Sequence, residues 1–299
     1  MVRMFDLQTV QDIAEITEVT VYDLLKLTNS MDRNVNVVLE QKKRGGYRKI
    51  CKPSFKLKEV QKAINKKILQ LIPLPSFLHG AVKGKSTKTL AQQHTGKPFV
   101  LTVDIKDFYP NIHYSKVISI YSGIGCSGNV ARLLTKLCTY DGCLAQGFPT
   151  SSSIANLTLA GMAPRFEGIE KQHNIKIGSF QDDLIISGGY RIPELFSLFE
   201  RVVRQEGFVL HLGEKKKAMP RSERQETVGY VINHKVNVPK DYYRKLRTTI
   251  HLCKVKGIVA IAGDVPVETF RQSLIGRIQY VMDVNPTKGK QLLVEYEAL

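Results

Sequence analysis

The residues with the clearest chemical potential in this chain are three aspartates. Asp104 lies near the end of a β-rich run, FVLTVDI at residues 99–105, which stops before the breaker Pro110. Asp182 and Asp183 stand side by side in IKIGSFQDDLIIS at residues 175–187, where apolar residues on both sides give the pattern of a hairpin with acids at its tip. An acidic pair in a turn is ordinary by itself, because Asp is favoured there for local hydrogen bonding. Three carboxylates brought from two neighbouring strands can do more. In-line phosphoryl transfer uses two divalent ions roughly 3.5 to 4 Å apart, which activate the attacking hydroxyl and stabilise the leaving group. Magnesium takes a few carboxylate oxygens and fills its shell with water and substrate phosphate. Asp104, Asp182 and Asp183 would therefore suffice as ligands for two Mg2+ ions, with Mn2+ able to substitute.

Delivering those acids requires a sheet with helices behind it. Residues 115–140 and 151–172 read mainly as helices, and the hydroxyls of Thr150 to Ser153 could cap the second. Between them LAQGFP reads as a loop around Gly147 and Pro149. Residues 192–206 have helical spacing, 208–212 and 228–232 read as short strands, and three amphipathic helical stretches follow from Asp241. Upstream, residues 6–30 show helical periodicity, with Thr20 starting a helix before Val21. Residues 35–39 and 48–51 read as strands joined by a turn at Arg44-Gly45-Gly46, and two helices then flank Pro73 and Pro75. The order strand, helix, helix, hairpin, helix, strand predicts an α+β fold, an antiparallel sheet backed by helices.

Composition narrows the partners. The 299 residues are 43% hydrophobic, enough for a substantial core divided among two or three subdomains. Lys and Arg number 44 against 27 Asp and Glu, and the net charge of +17 predicts attraction to polyanions, nucleic acid first. Residues 40–67 alone hold eleven Lys or Arg against Glu40 and Glu59, a net +9. These cations alternate with apolar residues and end in a helical pattern at Leu57, Val60, Ile64 and Ile68. The segment therefore reads as a folded basic wall over a nucleic-acid or triphosphate site. There is no apolar run of membrane-spanning length, and residues 1–7 carry charge instead of an apolar signal core, so neither a membrane span nor secretion is expected and the chain reads as cytoplasmic. The five cysteines are odd in number and lack CxxC spacing, which favours buried free thiols over disulfides or structural zinc.

Three stretches together resemble the motifs of reverse transcriptases. TVDIKDFYP is similar to the family's first catalytic motif, LAQGFPTSSSIANL to its dNTP-side loop and helix, and FQDDLIIS to its two-aspartate hairpin, in the family's order. YRKICKP with LKEVQKAINKKIL resembles the fingers of bacterial members, and HGAVKGKSTKTLAQQH the stretch before their first catalytic strand. The resemblance implies a right-hand polymerase with an N-terminal helical extension at 1–30, fingers at 31–98 joined by 115–150, an antiparallel-sheet palm at 99–234 and a helical thumb at 235–299. It implies an RNA-directed DNA polymerase whose catalytic metals are held by Asp104, Asp182, Asp183 and the backbone of Ile105. Arg48 and either Lys42 or Lys43 would grip the incoming dNTP, and Asp107 would face it through its backbone. Tyr109 would lie under the sugar and clash with a ribose 2′-hydroxyl, selection by a built-in repulsion. Phe108 belongs to the same nucleotide-side stretch, although packing in the core is the more ordinary fate of a Phe. Gln146 and Gly147 would contact the nucleotide, the glycine allowing close backbone approach. Gly207, with Lys215 or a neighbour in EKKK, would place a lysine near the leaving pyrophosphate.

Among compact bacterial members, retron reverse transcriptases resemble the chain further. Ala91 to His94 matches the AxxH part of their NAxxH motif, and TVGYVI at 227–232 falls where they carry VTG. The similarity implies that His94, Thr227, Val228, Gly229, Arg244, Lys245 and Arg247 bind a structured noncoding RNA that is both template and primer. It also implies 2′-hydroxyl priming, a branched RNA and DNA product (msDNA), and action in phage defence with an effector protein. After the last palm strand about sixty residues remain, room for a helical thumb and nothing more. The chain departs from the pattern at Phe180 for the usual Tyr, Gln181 for a small or apolar residue, Leu90 for Asn, and Thr227-Val228-Gly229, which permutes VTG. Gln181 is expected at the primer end, where it would alter fidelity or processivity. The alternatives are another small bacterial reverse transcriptase of the defence-associated or diversity-generating kind, and a catalytically idle RNA-binding scaffold, which would be expected to have lost its aspartates. An RNA-templated RNA polymerase is a third, and Tyr109 speaks against it.

Overall fold

The N-terminal periodicity resolves into three short helices, α1 (Val10–Thr17), α2 (Val21–Asn29) and α3 (Met31–Asn34), in a computed structural model that describes residues 4–42, 45–213 and 216–299. Thr20 caps α2 as its type predicts, its hydroxyl accepting from the Asp23 N–H. Strands β1 (Val35–Gln41) and β2 (Tyr47–Pro53) then pair antiparallel along their whole length, while Arg44 of the expected turn, and Lys43 before it, lie outside the described residues. Helix α4 (Phe55–Lys67) buries Leu57, Val60 and Ile64 and keeps its last-turn lysines, Lys66 and Lys67, exposed. Helix α5 (Thr87–Gln93) leads into β3 (Phe99–Asp104).

The expected long helix at 115–140 is two, α6 (Tyr114–Gly123) and α7 (Gly128–Cys138), because Ser127 caps a fresh start by accepting from the Val130 N–H. A small hairpin follows, β4 (Thr139–Tyr140) with β5 (Cys143–Leu144). The stretch 151–172 likewise divides into α8 (Ser151–Ala160) and α9 (Ala163–His173), with Pro164 in the opening turn of the second. Thr150 stands at the start of α8 but makes no capping bond; Ser151 instead donates its hydroxyl to the Ala145 carbonyl at 2.6 Å, tying helix to loop.

Next come β6 (Lys176–Phe180), β7 (Asp183–Gly188), α10 (Ile192–Gln205), β8 (Lys217–Pro220), β9 (Glu226–Thr227) and β10 (Tyr230–Val231). The C-terminal region holds α11 (Lys240–Lys256), α12 (Ile258–Ala262), α13 (Val267–Val284) and α14 (Pro286–Glu297). That is one helix more than expected, since short α12 sits between Gly257 and Gly263.

Strands β6, β7, β3 and β8, in that order, make the expected antiparallel sheet. The strand expected at 208–212 is instead a single bridge, Ile105 to Leu210, flanked by Lys106 N–H to Val209 O and His211 N–H to Asp104 O, both 2.8 Å. β8 pairs with residues 99–102 of the same strand, so one edge of β3 and its continuation is divided between two segments.

The two faces of the sheet are covered differently. Phe99, Leu101, Val103 and Ile105 turn into the larger core, while Val100 turns the other way with Ile185 and Met219, beneath Leu90 and Ala91 of α5 and Tyr230 and Ile232. Gly178 permits that cover, since a Cβ there would lie 2.3 Å from Leu90 Cδ1 and 2.7 Å from His94 Nε2. His94 is thereby corrected from an RNA ligand to a core residue, fully buried with Nδ1 2.7 Å from Ser187 Oγ. Leu90, in the place of Asn, is likewise core.

The C-terminal helices pack around a core of their own, including Leu246, Ile250, Leu274, Ile278 and Leu292. Tyr280 joins it to the sheet side, its hydroxyl donating to the Gly229 carbonyl at 3.1 Å and its ring 5.4 Å from that of Tyr230. Lys88 pairs with Asp283 at 2.8 Å beside it. Thr227 is also corrected, being buried at the foot of a two-residue turn. In that turn Val228 and Gly229 hold φ 42° and 88°, the pairing of positive values that tight hairpins favour. All five cysteines are free, Cys143 half-buried and the others buried. Among the described residues no helix is long and apolar enough to cross a membrane.

Burial lowers the pKa of His94 to about 3 and that of His79 to about 4, with nearby positive charge adding to each. Free imidazoles titrate near 6.5, so below that pH the unfolded chain takes up protons that these folded sites refuse. The stability they confer is complete above pH 6.5 and is lost as pH falls toward the folded values. Denaturant unfolding should show a loss on the order of 2 kcal/mol from His94 by about pH 5, and His94→Gln should flatten the pH dependence; an unaltered profile in that variant would exclude His94 as its source.

Candidate active site

Register brings two of the aspartates face to face. Asp104 of β3 pairs with Asp183 of β7, and directly opposed residues of an antiparallel ladder share a face. Asp182 belongs to the two-residue turn before β7, and its carbonyl accepts from the Ile105 N–H at 2.9 Å, which fastens the hairpin tip to the end of β3. Burial falls along this face toward the acids. Val100 and Ile185 are buried, Thr102 and Asp104 half-buried, Asp183 and Lys217 exposed. One half of the face is roofed by α5, and the acid half lies open.

Beside the acids is a cleft of about 930 Å³ between the basic hairpin, the turn after β3 and the loop after β5. Its walls bring together Lys42, Arg48, Asp107, Tyr109, Gln146 and Asp182. Arg48 approaches Glu40 only to 3.8 Å with both side chains substantially exposed, a contact that leaves the guanidinium open to a ligand. Lys49, Lys106 and His211 line the same cleft and were not singled out from sequence. Lys49 lies beside Arg48 in YRKICKP and Lys106 lies inside TVDIKDF, so position within the motifs was a usable signal for both. His211 had none; it arrives through its N–H bond to the Asp104 carbonyl. A hydrogen bond to Asp141 at 2.9 Å raises the pKa of Lys49.

Gly147 is required by the loop itself. It holds φ 112°, and a Cβ there would stand 2.6 Å from the Cys51 carbonyl oxygen, while the Cys51 N–H donates to the Gln146 carbonyl at 2.8 Å. Phe108 packs in the core, the fate expected of a Phe in that stretch, 4% exposed with its ring 5.6 Å from Phe208, and it also lines the cleft. Lys215, like Lys43, lies outside the described residues. Its neighbour Lys216 places Nζ 3.4 Å from the centre of the Phe196 ring, a cation–π contact.

The Tyr109 hydroxyl donates to Gln181 Oε1 at 2.9 Å and lies 3.3 Å from Ser152 Oγ. Burial raises its pKa and the charge of Asp182 adds to this, against the Ser152 hydrogen bond. The Gln181 side chain is thus engaged within the protein and not held out toward a primer. Arg244, Lys245 and Arg247 are exposed on α11, and Arg244 and Arg247 border a separate groove of about 590 Å³ with His251 and Lys254.

Among the described residues no three His, Cys, Asp or Glu side chains are gathered closely enough to hold a metal by themselves. Two opposed carboxylates with a third at the adjoining turn suit an ion that takes few protein oxygens and completes its shell with water and phosphate. The donor set therefore fits magnesium.

A sequence model of reverse transcriptase (RNA-dependent DNA polymerase) matches residues 40–232. The retron Ec86 reverse transcriptase of Escherichia coli is 26% identical over 249 residues, covering 82% of this chain and 78% of that protein. The retron Mx65 reverse transcriptase of Myxococcus xanthus is 28% identical over 271 residues, covering 84% of this chain, which spans 61% of that relative. Among solved structures, telomerase from Candida albicans in complex with a fragment of telomeric RNA aligns with a TM-score of 0.52 at 11% identity, over 87% of this chain and 56% of that one, a likeness of fold alone.

Substituting Gly147→Ala should destabilise the protein by about 1–3 kcal/mol through the strained φ and the Cys51 contact. Hydrogen exchange at the Cys51 amide should accelerate at the same time; full retention of protection there would show that the loop is not pinned through this contact.

Proposed function

The chain belongs to the reverse transcriptase family as a bacterial retron-type member, and on that footing we propose that it copies a structured noncoding RNA into single-stranded DNA. The observation that carries the reading is the pairing of Asp104 with Asp183 across one ladder, with Asp182 at the adjoining turn and a basic cleft beside them. In this reading Asp104, Asp182, Asp183 and the Ile105 carbonyl hold two Mg2+ ions, Mn2+ being able to replace them. The family uses divalent metal ions, and when bound they would activate the attacking hydroxyl and neutralise the departing pyrophosphate.

The chain's own groups supply position and charge. Lys42 and Arg48 grip the triphosphate of a dNTP, the Asp107 backbone faces it, and Gln146 with Gly147 bounds it from the loop. The Tyr109 ring lies under the sugar and excludes a 2′-hydroxyl. The open half of the sheet face receives the primer terminus. Residues 31–98, with 115–150, serve as fingers, 99–234 as palm and 235–299 as thumb, behind a helical extension at 1–30. Arg244, Lys245 and Arg247 on the thumb take RNA phosphates, and the turn of half-buried Val228 and exposed Gly229 is a further contact in that role.

Likeness to the retron enzymes further supports msDNA as product, begun from a 2′-hydroxyl of the same RNA, within a phage-defence system that includes an effector protein. Sequencing the nucleic acid that copurifies tests this directly. A short structured RNA joined to single-stranded DNA is expected, and DNA without a branch would refute the priming mode.

Asp183→Asn should lower dNTP incorporation on an RNA template by about a hundredfold or more, and retained synthesis would remove Asp183 from the metal site. Tyr109→Ala should raise NTP use relative to dNTP by about tenfold or more, while undiminished NTP exclusion would end its role as sugar gate. RNA affinity should fall steeply with salt, and the variant Arg244→Ala with Arg247→Ala should flatten that dependence by about one to two phosphate contacts; an identical slope would place the RNA elsewhere.

A further inference from the structure

Neither metal binding nor phosphate binding explains the glutamine at position 181. Gln181 is the first of the two turn residues between β6 and β7 and holds φ 57°, a left-handed conformation that a non-glycine residue keeps only where its surroundings determine it. Its surroundings do so on three sides. The side chain lies against Gly80, where a Cβ would come 2.7 Å from the Gln181 backbone nitrogen, 2.8 Å from Nε2 and 2.9 Å from Cγ. Oε1 accepts from the Tyr109 hydroxyl at 2.9 Å, and Nε2 lies 3.5 Å from Asn156 Oδ1. Asn156, 1% exposed on α8, in turn donates Nδ2 to the Gly80 carbonyl at 2.6 Å. The circuit closes on itself and joins the hairpin tip, the turn after β3, helix α8 and the segment before α5.

We propose that Gln181 is a positioning residue for sugar selection: by holding the Tyr109 hydroxyl it fixes the ring and so sets how strictly the cleft rejects a 2′-hydroxyl. This rests on the sugar-gate role proposed above for Tyr109. A phenol ring is attached to the chain at one end, and a repulsive gate works only if the ring does not yield when pressed. Gln181 anchors the other end. Ser152, at 3.3 Å from the same hydroxyl, is the more distant partner, and a small or apolar residue at 181 would leave it as the ring's one protein hydrogen-bond partner among those described. The neighbouring turn residue is Asp182, so adjacent peptides present a carboxylate to the metal site and an amide to the gate. The buried asparagine and the close glycine keep that amide from rotating away.

The test is a four-member cycle in the full chain: unaltered protein, Gln181→Met, Tyr109→Phe and the double variant. Single-nucleotide extension on an RNA template with Mg2+ gives kcat/KM for a dNTP and for its matching NTP. Gln181→Met keeps length and removes the acceptor, and Tyr109→Phe keeps the ring and removes the donor. Each single change should raise relative NTP use several-fold, mainly through a lower KM for the NTP, and the double variant should go no further than either single one. An unchanged ratio in Gln181→Met, or gains that multiply in the double variant, would overturn the proposal. If Tyr109→Ala relaxes selection while Gln181→Met does not, the positioning role alone fails; if Tyr109→Ala also leaves selection intact, the gate reading fails with it. Denaturant unfolding of the same four proteins reads the contact without catalysis: losses smaller in combination than their sum support it, and strictly additive losses overturn it.

Discussion

The alternation of side chains along β3 is the constraint on which the rest of the molecule depends. Phe99, Leu101, Val103 and Ile105 bury on one face, which leaves Asp104 to the other. A slip of one residue would drive a carboxylate into the apolar core and lift four large side chains out of it, so the register has no near competitor. Because β3 cannot slip, neither can β7 against it, and Asp104 and Asp183 are held opposite one another by the packing of the strand's other face. The bonds from the Ile105 N–H to the Asp182 carbonyl and from the His211 N–H to the Asp104 carbonyl then close the two edges of the strand end.

The same sheet needs its second face covered at one end and bare at the other. Gly178 admits α5 closely enough for Leu90 and His94 to reach the strands, and this roof stops before the aspartates. The basic hairpin lies beside the bare end and is stitched to the loop containing Gly147 through the Cys51 and Gln146 backbone. Cationic groups therefore stand beside the aspartates without either charge being fully buried, a balance that would be unfavourable in a dry interior and is tolerated in an open cleft.

Much of this was legible in sequence where local pattern and tertiary role coincide. The hairpin strands, the Thr20 cap, the central strand and the acidic turn all follow from periodicity and turn chemistry, and the mixed fold follows from their order. What could not be read was which side of a surface a motif residue occupies. His94 and Thr227 belong to motifs likened to RNA-binding segments and are buried, because Gly178 and the Val228-Gly229 turn draw those segments inward through contacts far apart in the chain. Residues 208–212 read as a short strand, yet they contribute only the bridge from Leu210 to Ile105, while KAMP at 217–220 pairs along β3 through contacts that local pattern does not reveal. Gln181 makes the same point within the site, since only its packed neighbours reveal it as an anchor.

Among the described residues the C-terminal helices meet the remainder through Tyr280 with Gly229 and Tyr230, the pairs of Lys88 with Asp283 and Arg224 with Asp241, and the packing of Tyr280 and Val284 against the sheet-side cluster. Their apolar interior, built on Leu246, Ile250, Leu274, Ile278 and Leu292, owes little to the sheet. Such a region is free to change its outer residues generation by generation without disturbing the register of the aspartates. If these helices hold RNA as proposed, changes on their outer face would alter what is bound while leaving the paired aspartates in place.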